Sequence, residues 1–137
     1  MRSNLQSLLL VLLALGLAIA TTSHLPWTPL RLAGALLVLP ALALFVIARI
    51  QLGKSFSIAA QATHLVTTGL YAYIRNPIYL FGGLTLAGLL LFVDKPRYLL
   101  LFLVLLPLQL RRIRNEEQVL TETFGDQYLQ YKAKTWF

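Results

Sequence analysis

The chain has 137 residues, 58% hydrophobic and only 12% charged, with a mean hydropathy of +0.71. A soluble domain ordinarily carries about 25% charged residues, so neither a water-covered globule nor a disordered chain fits this composition. The net charge is +7 and there is no cysteine, which removes disulfides, thiolate metal sites and a cysteine nucleophile.

Charge-free runs mark the expected spans. A bilayer-crossing helix takes about 20 apolar residues, and stretches at about 5–25, 30–50, 77–93 and 98–111 are the candidates. The first reads as an uncleaved span behind Arg2, since further hydrophobic segments follow it. The last covers only about 20 Å at 1.5 Å per residue, so Arg111 and Arg112 snorkel or the helix runs on into water. The expectation is an all-α membrane bundle of about four helices in one domain, residues 1–137. If the spans alternate, Arg2, Arg49, Lys54, Arg75, Arg111, Arg112, Arg114, Lys132 and Lys134 share one side. Arg31, Lys95 and Arg97 share the other. The positive-inside rule then puts both termini in the cytoplasm. Because the charge hugs span ends, the expected partner is the lipid bilayer and not nucleic acid.

Two segments are not simple membrane filler. Residues 51–76, QLGKSFSIAAQATHLVTTGLYAYIRN, are too polar to span and too apolar for a loose linker, which suggests an interfacial loop folded on the bundle. Gly69 permits a turn there, and Pro77 opens the third helix at its first position while restricting Asn76. The tail, residues 112–137, places Arg112 with Glu116 at i,i+4 and Arg114 with Glu117 at i,i+3, as a helix leaving the fourth span would. Val119, Leu120, Phe124, Tyr128 and Tyr131 give that tail an apolar side facing the membrane surface or the loop. Gly125-Asp126 breaks or caps it. Gly82, Gly83 and Gly88 read as close helix-packing points. His24 and His64 stand far apart, and no metal site is expected.

Taken singly, these polar residues have ordinary readings. Glu116 and Glu117 neutralise neighbouring arginines, Arg75 anchors a span end, the tyrosines form an interfacial belt, and His64 is a solvated loop histidine. Taken together they resemble a known pattern. His64-Leu65-Val66-Thr67-Thr68-Gly69-Leu70-Tyr71-Ala72-Tyr73-Ile74-Arg75-Asn76-Pro77-Ile78-Tyr79 is similar to the signature H-x-V-x-x-G-x-Y-x-x-x-R-H-P-x-Y of the isoprenylcysteine carboxyl methyltransferase family. Arg114-Asn115-Glu116-Glu117, followed by Phe124-Gly125-Asp126-Gln127-Tyr128 and Tyr131, resembles its R-x-E-E…F-G-x-x-Y-x-x-Y tail. The resemblance covers roughly residues 49–134, and Asn76 stands where the family has histidine.

That resemblance, which extends to the related phospholipid methyltransferases, implies an integral-membrane methyltransferase using S-adenosylmethionine without a Rossmann domain. It implies a cofactor pocket lined by His64, Val66, Gly69, Tyr71, Tyr73, Arg75, Asn76, Pro77, Tyr79, Glu116 and Glu117. The small size implies kinship with bacterial members and a place in the inner membrane. In such a pocket Glu116 and Glu117 pair with the donor's ammonium, Arg75 and backbone N–H groups near Asn76 hold its carboxylate, and tyrosines face the adenine or the sulfonium. Methyl transfer needs in-line geometry and exclusion of water more than a base. No obligatory base is identified, and Arg75 and Asn76 are the nearest candidates for a catalytic part. The acceptor is expected to be lipophilic: an isoprenylcysteine-like carboxylate, a phospholipid or another small apolar molecule. The rival readings are a non-catalytic membrane protein, either a degenerate relative or a small transporter subunit, and a membrane reductase sharing the cofactor region. Oligomeric state is not legible.

Overall fold

The computed structural model describes residues 2–53 and 65–137. All the regular structure among them is helical, with a single short parallel bridge between Ile74 and Trp136. Helix α1 (Arg2–Thr22) leads through a short turn to α2 (Pro29–Leu52). Pro29 sits at the first position of α2, where a missing N–H costs nothing, and Thr28 Oγ1 accepts from the Arg31 N–H at 3.2 Å. The same proline device opens α3 (Pro77–Phe92) at Pro77. A 3-10 turn at Pro96–Leu99 feeds α4 (Leu100–Phe124), and Gly125, at φ +52, separates it from α5 (Asp126–Lys134). The Gly125 N–H closes α4 on the Thr121 carbonyl at 2.8 Å, so the expected break falls where glycine alone is unstrained.

The principal packing is α2 on α3. Small residues let the two backbones meet: a Cβ built on Gly88 would lie 2.7 Å from Val38 Cγ2 and 3.1 Å from the Gly34 carbonyl. Ala41, Phe45 and Ala48 of α2 are buried along this seam, as are Phe81, Thr85 and Leu89 of α3. Thr85 spends its hydroxyl on the Phe81 carbonyl at 2.7 Å, which makes the polar group tolerable there. Ala18 of α1 completes a small cluster with Val38 and Leu89. Of the three glycines read as packing points, Gly88 is a close crossing and Gly82 lies against the Phe45 ring. Gly83 is neither: among the described residues nothing lies within 4 Å of its would-be Cβ.

The expected fourth span and the expected tail helix are one element. α4 runs 25 residues without interruption through the arginine-rich stretch, because helical hydrogen bonding continues past the point where hydropathy changes. Among the described residues, one helix, Pro29–Leu52, is long and apolar enough to cross a membrane, with a mean hydropathy of 2.4 over its best window. The apolar helical stretches Val11–Thr22 and Pro77–Phe92 are shorter. Leu13, Leu17, Leu36, Leu39, Leu103 and Val104 are all largely exposed.

At the α1–α2 turn, Arg31 is 3% exposed. Its Nη1 donates to the Leu25 and Pro26 carbonyls at 2.9 and 3.1 Å, and its Nη2 to the Thr22 carbonyl at 2.7 Å. The guanidinium lies 5.5 Å from the Trp27 ring centre and 5.0 Å from that of Phe92. Arg31 thus supplies donors to the last residue of α1 and to the turn that follows, and ties α1 to the α2–α3 pair.

Candidate functional site

Near the start of α3, the turn 69–72 packs against the end of α2. Gly69 adopts φ +62, and a Cβ there would collide with the Gln51 amide. That close approach lets Gln51 Oε1 accept the Leu70 N–H at 2.8 Å. The turn buries Tyr71, 6% exposed. Its hydroxyl has no hydrogen-bond partner among the described residues. Burial, then the neighbouring Tyr131 and Glu116, push the Tyr71 phenol well above its ordinary pKa against the opposing pull of Arg49.

The tail docks on this turn. Tyr131 donates to the Tyr71 carbonyl at 2.7 Å. The Trp136 N–H donates to the Tyr73 carbonyl at 2.8 Å, the Arg75 N–H to the Trp136 carbonyl at 3.0 Å, and the Asn76 N–H to the Phe137 carbonyl at 2.9 Å. Tyr128, one of the largest fully buried side chains, fills the space behind, its ring 6.1 Å from that of Tyr131. Burial raises the Tyr128 phenol to about 12, helped by Glu117, and raises that of Tyr131 to about 12 as well, with Arg75 opposing in both cases. All three phenols are therefore neutral O–H donors at physiological pH.

Between turn and tail lie the two glutamates. Glu116 Oε1 accepts from the Tyr79 hydroxyl, and Arg112 Nε stands 3.6 Å from the same oxygen. Arg112 also reaches over the Tyr79 ring at 6.0 Å. Glu117 Oε1 faces Arg75 Nε at 3.2 Å, a charge contact whose N–H is not aligned for a hydrogen bond. Glu117 Oε2 accepts from Lys132 Nζ at 2.7 Å. Arg75 Nη1 donates to the Lys132 carbonyl at 3.1 Å.

Tyr71, Arg75, Tyr79, Glu116 and Glu117, drawn from two distant stretches of sequence, thus share one end of the molecule. Pro77 is buried at the start of α3, and Gly69 makes the turn as expected. Val66 lies half-buried in the irregular stretch ahead of the turn. Among the described residues Tyr73 joins through its backbone, the residue being 77% exposed. Asn76 makes no side-chain cap bond to α3, and the backbone N–H groups of Arg75 and Asn76 are engaged by the tail. His64 lies outside the described residues. The i,i+4 pair of Arg112 and Glu116 forms, but the expected i,i+3 pair of Arg114 and Glu117 does not: Glu117 turns inward to Arg75 and Lys132 while Arg114 is exposed. Sequence reasoning missed Lys132 and Gln51, whereas Tyr131 meets the loop, one of the two surfaces expected for it. Lys132 lies one helical turn beyond the buried Tyr128 in α5, a signal that becomes readable only once Tyr128 is known to face inward.

A family model described as phospholipid methyltransferase matches residues 28–127. A curated protein of Schizosaccharomyces pombe, protein-S-isoprenylcysteine O-methyltransferase, is 40% identical over 93 residues, which is 64% of this chain and 39% of that protein. The chain therefore spans about two fifths of the length of that relative. No solved structure gives a significant match.

Proposed function

Since the chain belongs to the phospholipid methyltransferase family, we propose that it is an integral-membrane enzyme that moves a methyl group from S-adenosylmethionine to a lipophilic acceptor. The observation that carries this reading is the meeting of Glu116, Glu117, Arg75 and three tyrosines at one end of the molecule. The donor has an ammonium, a carboxylate, a sulfonium and an adenine, and that side-chain set suits each of them. Glu116 and Glu117 would take the ammonium and Arg75 the carboxylate, guanidinium being suited to bidentate contact. The buried Tyr71 hydroxyl, unpartnered among the described residues, is a polar group still available to a ligand. Tyr79, held by Glu116, presents its ring where a sulfonium or a base could be met. Asn76, Pro77, Gly69 and Val66 belong to the same wall in this reading.

When bound, the donor supplies an electrophilic methyl group. The protein's part is to orient it and keep water away. The three neutral phenols and the docked tail serve that exclusion without providing a base. The exposed leucine belts of α1, α2 and α4 suit a lipid surround. With them the reading takes four membrane passes, including α1 and the first half of α4, and a cytoplasmic site beside the arginines and lysines. An acceptor of this class would arrive sideways from the bilayer.

Calorimetry of the detergent-purified chain with S-adenosylmethionine tests the proposal. Micromolar binding that Glu117→Ala abolishes is the expected result, followed by methyl transfer to detergent-dispersed prenyl or lipid acceptors. A folded, monodisperse sample that binds NADPH and not S-adenosylmethionine would move it to the reductase reading. Methylation confined to freely soluble acceptors would end the lipophilic assignment.

A further inference from the structure

Arg75, Glu117 and Lys132 close a ring of contacts: guanidinium to carboxylate at 3.2 Å, ammonium to carboxylate at 2.7 Å, and guanidinium to the Lys132 carbonyl at 3.1 Å. This is the same complement of groups that an α-amino-acid ligand would engage, a carboxylate for its ammonium and a guanidinium for its carboxylate. In the structure the ammonium is the chain's own. The three side chains are not equally held. Glu117 is 15% exposed and Arg75 19%, whereas Lys132 is 42% exposed and sits on a flexible four-carbon stem. Lys132 is therefore the member that can swing into water at least cost. The ring also holds two cations against one carboxylate, so a third cation reaches Glu117 Oε2 only if Lys132 gives way.

Resting on the methyl-donor reading, we propose that Lys132 is an internal occupant of the donor's ammonium position. It neutralises Glu117 while no donor is present and yields that carboxylate to the donor's α-ammonium. Lys132 consequently lowers donor affinity, the opposite of what its place among the ligand-binding groups would suggest. The alternative roles are a second ligand for the donor's carboxylate, and a staple for the tail.

Three probes separate these roles in calorimetry of the full chain in detergent: S-adenosylmethionine, S-adenosylhomocysteine, and methylthioadenosine, which keeps the nucleoside and thioether but has no amino-acid group. For Lys132→Gln, the first two are expected to bind about two- to five-fold tighter, the range set by a partly exposed ion pair, with methylthioadenosine unchanged. Lys132→Met, which keeps most of the stem, is expected to shift in the same direction. Unchanged or weaker binding of the amino-acid ligands in both variants overturns the proposal. So does equal tightening for all three probes, which would report a loosened tail. A folded wild-type chain that binds neither S-adenosylmethionine nor S-adenosylhomocysteine removes the methyl-donor reading itself, a failure distinct from the other two.

Discussion

Arg31 and Arg75 are both largely buried guanidinium groups, and their surroundings differ in kind. Arg31 is held by three backbone carbonyls and lies beside two aromatic rings. Arg75 is held by a carboxylate, which is shared with a lysine, and by one carbonyl. Backbone carbonyls of a helix end and the turn beyond it cannot leave without remaking the chain path, so the contacts of Arg31 are fixed along with the fold. Side-chain ions can exchange partners at constant backbone, so the contacts of Arg75 can be traded for those of a ligand. A buried arginine held by backbone reads as architecture; one held by other side chains reads as a site.

The sharpest way to break that contrast is at Arg31. Arg31→Met removes the donors from three carbonyls at once, at roughly 1 kcal/mol each, so a loss of about 3 kcal/mol and a clearly lower melting temperature are expected. Donor affinity in the surviving folded fraction should be unchanged, and a ten-fold loss there would place Arg31 in the site as well. Glu117→Ala should behave in reverse. It leaves Arg75 and Lys132 facing each other unneutralised, yet both are partly exposed, so the melting temperature is expected to fall less than for Arg31→Met. Donor binding is expected to fall more than ten-fold. Equal losses of stability and affinity in both variants would erase the distinction between the two ends. A smaller effect is expected from Tyr131→Phe, which removes the bond to the Tyr71 carbonyl and should cost about 1 kcal/mol, read as faster amide exchange in the tail.

The two motifs made the polar end legible, since Tyr79 and Glu116 meet although they stand 37 positions apart. The start of α3 was legible too, because Pro77 acts through local chemistry. The partner of Glu117 was not. Spacing along one helix offers Arg114, but Glu117 points inward, and partners on another element win once the ladder has set its direction. Tyr73 shows the complementary failure: alternating with Tyr71 in sequence, it shares the turn but faces outward. The run-on of the fourth helix past its arginines was legible from the spacing of Arg112 and Glu116, because hydropathy reports where an apolar surface ends, whereas a helix ends where its hydrogen bonding does. Here that is the positive-φ glycine at position 125.

The gentlest probe of the comparison is alkaline pH, because it acts on the phenols of the docked tail. Tyr128 and Tyr131 have phenols raised from 10.0 to about 12, chiefly by their burial as the tail docks. A phenol whose pKa is higher in the folded than in the unfolded chain contributes stability that is complete below pH 10 and is lost as pH rises toward about 12. At neutral pH these two groups therefore add no pH dependence, and above pH 10 they should lower the melting temperature progressively. The accompanying near-ultraviolet tyrosinate signal should contain a late step that is reduced in Tyr131→Phe. If that step instead appears near pH 10, the tail does not cover the turn in solution, and the exchangeable ion pairs around Glu117 would lie open to water whether or not a ligand is present.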